Sequence, residues 1–153
     1  MQIIEDDLSG PEIKALLEDH LFNMTLHSPP ESRHVLDLNK LKSPEITFWT
    51  VWDNAELLGC GALKRLNESE YEIKSMKTAA QHLRKGVAKN MLKHILCHAE
   101  KLGCQALLLE TGSMAAFEPA KQLYVSFGFE LCEPFADYKA DPNSIFMCRS
   151  MDQ

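Results

Sequence analysis

The stretch Met76-Lys77-Thr78-Ala79-Ala80-Gln81-His82-Leu83-Arg84-Lys85-Gly86-Val87-Ala88 constrains this chain more than any other. It reads as the end of a strand, a basic turn with one glycine, and an amphipathic helix over about residues 85–101. Such a turn leaves several backbone N–H groups unpaired at a helix start, with the positive end of the helix dipole behind them. That is a cradle for a phosphate or pyrophosphate. Arg84 and Lys85 add mobile positive charge, and Gly86 lets the backbone approach a ligand closely. A kinase-type phosphate loop would close on Gly-Lys-Ser or Gly-Lys-Thr, and no such run is present. A dinucleotide fold would need three glycines in its first strand-to-helix turn, whereas only Gly86 stands here, with Ala88 two places later.

The background against which this turn sits is acidic. The chain has 153 residues and a net charge of −6, with 45% hydrophobic and 25% charged residues. That length suits one domain spanning residues 1–153, and that composition suits a soluble protein. The negative balance argues against nucleic-acid binding as the main task and mildly favours cationic small substrates. The basic region over residues 74–93 stands out by contrast. Cys60, Cys97, Cys104, Cys132 and Cys148 show no C-x-x-C spacing and read as reduced, mostly buried small hydrophobes. No secretory leader and no membrane-length apolar run is seen, so a cytoplasmic location without membrane contact is expected.

Along the chain, residues 2–4 suggest a first strand. Ser9-Gly10-Pro11-Glu12 reads as a capping box opening a helix that Ser28-Pro29-Pro30 stops. Residues 31–41 suggest a short helix or loop that would contribute substrate contacts. Strands follow at 46–52, 56–66 and 70–78, the last with Tyr71, Ile73 and Ser75 on one face and Glu72, Lys74 and Met76 on the other. An apolar strand at 105–110 reads as buried on both faces. A helix beginning at Ala115 or Phe117 should end at Gly128, followed by strands at 129–134 and 144–151.

The string Ala120-Lys121-Gln122-Leu123-Tyr124-Val125-Ser126-Phe127-Gly128-Phe129 resembles the A-x-x-L-Y-x-x-x-G-F signature of the GNAT superfamily of N-acetyltransferases. It lies at the expected distance after Arg84-Lys85-Gly86-Val87-Ala88, which is similar to that superfamily's acyl-CoA pyrophosphate loop. Glu72-Ile73-Lys74-Ser75-Met76 resembles the strand leading into that loop. Thr47-Phe48-Trp49, Leu109-Glu110-Thr111-Gly112-Ser113 and Pro134-Phe135-Ala136-Asp137-Tyr138 extend the likeness, over nearly the whole chain, to small bacterial acetyltransferases. Two departures stand out: Leu83 occupies a place usually held by Gln or Arg, and Phe117 a place where Asn is common.

The resemblance implies an α/β fold with a central mixed, mostly antiparallel twisted sheet flanked by helices. It also implies acetyl-CoA as cosubstrate and no metal. The amides of Leu83, Arg84, Lys85, Gly86, Val87 and Ala88 would hold the pyrophosphate. Met76, Lys77 and Thr78 would pair with the pantetheine arm like an extra strand. Ser113 and Phe117 would flank the cofactor. A backbone N–H near Met76 would face the thioester carbonyl. Glu72 takes the place of a catalytic base, and a partly buried carboxylate suits that work; an ion pair with Lys74, Lys64 or Arg65 is its structural alternative. Tyr124 takes the place of the acid that protonates the leaving thiolate, or else packs as a core aromatic.

Other residues remain open at this point. Glu110 is a second candidate base, at the carboxyl end of the buried strand. His34, Asp37, Trp49, Asp137, Tyr138, Asp141 and Asn143 are candidates for an acceptor pocket, although Asp141-Pro142-Asn143 is equally a turn. His94 and His98 read as exposed helix histidines, not a metal clamp. His82 could meet a phosphate or sit in solvent. The expected activity is acetylation of a small amine or amino-acid-like acceptor. A non-catalytic acyl-CoA-binding module and a protein lysine or amino-terminal acetyltransferase are the alternatives. A homodimer is the base-rate expectation for assembly.

Overall fold

The computed structural model describes residues 1–27 and 38–151, and the side chains of 1–19 and 40–151. Among the described residues seven strands form one sheet: β1 (Gln2–Glu5), β2 (Ile46–Asp53), β3 (Glu56–Arg65), β4 (Glu70–Thr78), β5 (Ala106–Gly112), β6 (Glu130–Leu131) and β7 (Ser144–Ser150). The helices are α1 (Pro11–His27), α2 (Leu38–Leu41), α3 (Val87–Lys101) and α4 (Glu118–Ser126). Spatial order in the sheet is β1-β2-β3-β4-β5-β7-β6, and β4 with β5 is the one parallel pair among the described strands. The mixed, mostly antiparallel α/β architecture expected from the sequence is therefore what forms.

Period-two alternation distributes the strands' apolar side chains between two dry layers. Leu63, Ile73, Leu107 and Leu109 face the stripe Met91, Leu92 and Ile95 of α3, and Tyr124 and Phe129 close the same layer. Leu8, Ile13, Leu16 and Leu17 pack with Phe48, Cys60 and Ala62 in the second layer. Each fully buried Leu or Ile stabilises by about 1.5–3 kcal/mol relative to exposure. The helical periodicity read in α3 is thus the principal clamp on the sheet.

β4 keeps its alternation only as far as Lys74. The register with β3 steps from Ala62↔Lys74 to Cys60↔Lys77, so Ser75 and Met76 together oppose Gly61. This is a bulge, with Ser75 at φ 57°. The extra residue reverses the parity of the rest of the strand, and Met76 packs into the α3-side core alongside Ile73. The expected placing of Met76 with Glu72 and Lys74 assumed an unbroken strand and is corrected. Gly61 is required opposite the bulge: a Cβ there would lie 2.7 Å from Met91 Cγ and 2.9 Å from Met76 Sδ.

The bulge also marks a parting of strands. β4 and β5 pair only from Glu70↔Ala106 to Glu72↔Leu108. From Ile73 to Thr78, β4 has β3 on one side and no strand among the described residues on the other.

Two local expectations are also revised. The Ser9 hydroxyl turns back to donate to Asp7 Oδ1 at 2.6 Å instead of reaching forward along α1. The strand expected at 129–134 contracts to Glu130–Leu131, paired with Cys148 and Met147. At the end of α4, the amides of Gly128 and Phe129 bond the carbonyls of Val125 and Tyr124, which stops the helix where the sequence placed it.

Candidate active site

The turn between β4 and α3 is shaped by backbone angles. Arg84 and Gly86 adopt φ 66° and 82°, and Gly86 is the last residue before α3 begins. No atom lies within 4 Å of where a Gly86 Cβ would stand, so the glycine answers to its angle and not to crowding. No side chain caps α3, which leaves its first amides for water or a ligand. Leu83 is 59% exposed, Arg84 and Lys85 are exposed, Ala88 is half-buried and Val87 is anchored in the core. An uncapped helix start behind a cationic turn fits a pyrophosphate.

His82 corrects both readings made of it. It is 7% exposed, with Nε2 on the Glu56 carboxylate and Nδ1 3.0 Å from Lys85 Nζ. Because an ammonium only donates, Nδ1 accepts and Nε2–H donates to Glu56. The imidazole buttresses the turn from beneath and holds Lys85 beside it.

Met76, Lys77 and Thr78 form the margin of the parted strand. Lys77 and Thr78 pair with Cys60 and Gly59 of β3, and the Lys77 ammonium lies 3.6 Å from Asp19 of α1. Ser113 donates its hydroxyl to the Pro142 carbonyl at 2.8 Å, while the Phe117 ring lies against Gly112.

On the face of β4 away from α3 the character changes to polar. Glu72 is 3% exposed, and its Oε2 accepts from the Tyr138 hydroxyl at 2.6 Å and from Lys74 Nζ at 3.3 Å. Lys74 also donates to the Tyr138 oxygen at 3.1 Å, closing a three-membered network. The ion-pair alternative named for Glu72 is therefore present, with Lys74 as the partner. Burial, and next the Glu72 charge, push the Tyr138 phenol well above its ordinary range, so it remains a proton donor to Glu72. Phe135 and Phe146 set their rings against Tyr138 at centroid distances of 5.2 and 5.5 Å. Glu110 lies on the same face, accepting from the Ser144 hydroxyl at 2.8 Å.

The remaining candidates divide. Tyr124 is buried in the α3-side core, edge-on to Phe129 at 5.7 Å, and burial raises its phenol so that it stays protonated. Trp49 is withdrawn from the acceptor pocket: it is buried beneath α3, edge-on to His94 and His98 at 5.0 Å each. Those histidines are accordingly half-buried packing groups and not exposed ones. No group of three or more metal-ligating side chains occurs among the described residues. Asp141 Oδ1 accepts from the Asn143 amide at 2.8 Å, which makes Asp141-Pro142-Asn143 a turn. Asp137 is exposed, and His34 and Asp37 lie outside the described residues.

Sequence reading did not find the Tyr138 hydrogen bond to Glu72, the role of His82, or the bulge at Ser75. Tyr138 is 66 residues from Glu72, and nothing local announces either contact. The bulge had one trace, the pair Gly59 and Gly61 across the sheet.

Residues 13–129 match the Acetyltransferase (GNAT) family. The chain is 60% identical over 151 residues to the uncharacterized N-acetyltransferase YsnE of Bacillus subtilis strain 168, covering 99% of this chain and all of that one. It is 49% identical to the uncharacterized N-acetyltransferase YedL of Escherichia coli K12, covering 93% of this chain and 89% of that one. Its fold resembles a GNAT family acetyltransferase from Elizabethkingia anophelis solved with acetyl-CoA bound, with TM-score 0.70, 18% identity and 97% coverage of each chain. The chain belongs to the GNAT family and is an acetyl-CoA-dependent N-acetyltransferase.

Proposed function

We propose that the chain transfers the acetyl group to the primary amine of a small, amino-acid-like acceptor by direct attack in a ternary complex. One observation carries this reading. Glu72 and Tyr124 lie on opposite faces of the sheet, and β4 and β5 part directly after Glu72. A base on one face and an acid on the other suit a reaction in which the amine arrives from one side and the thiol departs on the other.

The amides of residues 83–88, with Arg84 and Lys85, would hold the pyrophosphate, and the free edge of residues 76–78 the pantetheine. Acetyl-CoA supplies an acyl carbon activated as a thioester. Glu72 takes a proton from the acceptor ammonium, directly or through a water or the Tyr138 hydroxyl it is bonded to. The N–C bond forms as the C–S bond breaks, and Tyr124 gives its proton to the sulfur. The second proton that the nitrogen sheds on becoming an amide restores the Tyr124 phenol. A backbone amide at the bulge stabilises the carbonyl oxygen as charge grows there, one such donor being worth about 10²–10³ in rate. Glu72 and Glu110 offer negative charge to an ammonium, while Lys74 offers positive charge to a carboxylate. An amino acid carries both groups. The five unpaired thiols fit a reducing compartment such as the cytoplasm.

Release of free thiol from acetyl-CoA, measured over a panel of amino acids, the corresponding decarboxylated amines and lysine peptides, tests the reading. Amino acids should be the better acceptors. Tyr124→Phe should lower kcat by about 10²-fold and leave the dissociation constant for CoA unchanged. Turnover with peptides alone would replace the small acceptor with a protein one, and no turnover with any amine would leave a binding module.

A further inference from the structure

The bulge in β4 gathers two costs in one residue. Ser75 adopts φ 57°, in the left-handed region that glycine and asparagine fill most readily. Its hydroxyl oxygen is buried with no hydrogen-bond partner, in a residue only 9% exposed. Buried hydroxyls are almost always paired, because an unmade hydrogen bond in the interior forfeits the solvation it had in water. A residue needed only to shape the bulge would be better served by glycine, which carries neither cost. Strain and an orphaned donor at the same position point to a partner that arrives from outside the chain.

The position of Ser75 says what that partner is. It sits three residues beyond the last β4–β5 pair, where the strand's outer edge is unpaired among the described residues. Its own carbonyl is already engaged, accepting from the Cys60 thiol at 3.2 Å. The thiol of Cys60 is itself pushed up to about 12 by burial, so it stays a proton donor and holds that carbonyl turned inward. What remains unsatisfied is a single O–H, carried by a residue of the stretch of β4 that lies beyond its last pair with β5.

We propose that the Ser75 hydroxyl donates a hydrogen bond to the acyl carbonyl oxygen of the bound thioester, as a catalytic residue alongside the backbone amide of the bulge. This rests on the reading that the thioester lies at the parting of β4 and β5. Ser75 neither gains nor loses a proton. The transferred proton still passes from the acceptor to Glu72, and the thiolate still takes its own from Tyr124. The serine strengthens one hydrogen bond as negative charge collects on the oxygen, which is why it bears on rate more than on binding.

Ser75→Ala keeps a side chain of similar strain and removes the donor, and Ser75→Gly removes both donor and strain. In both variants kcat should fall by about 10²-fold. Calorimetry should show acetyl-CoA binding weakened about 2–10-fold while CoA, which lacks the carbonyl, binds as before. The melting temperature of the free protein should not fall in either variant, because an unpaired buried donor has gone. A kcat within about twofold of the unaltered protein overturns the proposal, since a single such donor is worth far more. Parallel weakening of CoA and acetyl-CoA also overturns it, by assigning Ser75 to the shape of the bulge. If the unaltered protein transfers acetyl groups while Ser75→Ala matches it, only the serine's part is lost. If the unaltered protein distinguishes neither ligand, the thioester's placement falls and this proposal with it.

Discussion

The turn before α3 and the network around Glu72 are built on opposite plans. The turn is made from consecutive residues, and the direction of its uncapped amides is set by Arg84 and Gly86 at positive φ. The network is made from side chains brought by β4 and by the loop leading to β7, with Tyr138 66 positions after Glu72. A site built of amides would tolerate changed side chains, such as Leu83 in a Gln or Arg position. A site of converging side chains depends on each member, because removing one partner leaves another buried and unpaired.

The largest effect expected from this contrast is at Glu72. Glu72→Gln keeps the shape of the network and abolishes the carboxylate, and kcat should fall by about 10²–10⁴-fold with CoA binding intact. Retained turnover would move the base to Glu110 and weaken the contrast. A smaller effect is expected in the turn. Gly86→Val forces a branched side chain to φ 82°, where the cost is backbone strain of about 1–3 kcal/mol, with no clash to add. CoA affinity measured by calorimetry should weaken about tenfold, while Leu83→Gln stays within about twofold because 59% of Leu83 faces solvent. If Leu83→Gln shifts affinity as much as Gly86→Val, the turn is a side-chain site after all.

The smallest effect lies in the core and serves as a control on both sites. Burial, with the charges of His98 and Lys101, holds the His94 imidazole below its ordinary value. The unfolded chain then binds the proton more readily than the folded one. Stability from this group is present above about pH 6.5 and is lost as pH falls through the native value. Melting temperature should therefore drop on acidification from about pH 7.5 to 5.5, and less steeply in His94→Phe. An unchanged slope in that variant would assign the acid sensitivity to other groups.

Legibility in the sequence divides along the same line. Helical and strand periodicities gave α3, β2, β3 and β4 nearly to the residue, and the glycine-bearing turn was legible as an uncapped helix start, because both depend on near neighbours. Periodicity failed at Ser75, where one inserted residue reverses the faces of Met76 and the residues after it. It failed for Trp49 as well: alternation says that Trp49 and Trp52 point apart but not which of them lies beneath α3. Glu72 and Tyr124 were visible through the motifs they stand in. Their neighbours Lys74 and Tyr138 gained meaning only when the chain folded Tyr138 back onto β4.

The slot that β7 occupies has a consequence for how the molecule comes into being. β5 and β6 are synthesised before β7, yet β7 lies between them and supplies the hydrogen bonds to both. While a ribosome is still producing the residues after Leu131, β5 must wait with one row of amides and carbonyls bare. A bare edge is a template for pairing with another nascent chain, so the interval before β7 threads into place is the moment of greatest vulnerability to misassembly.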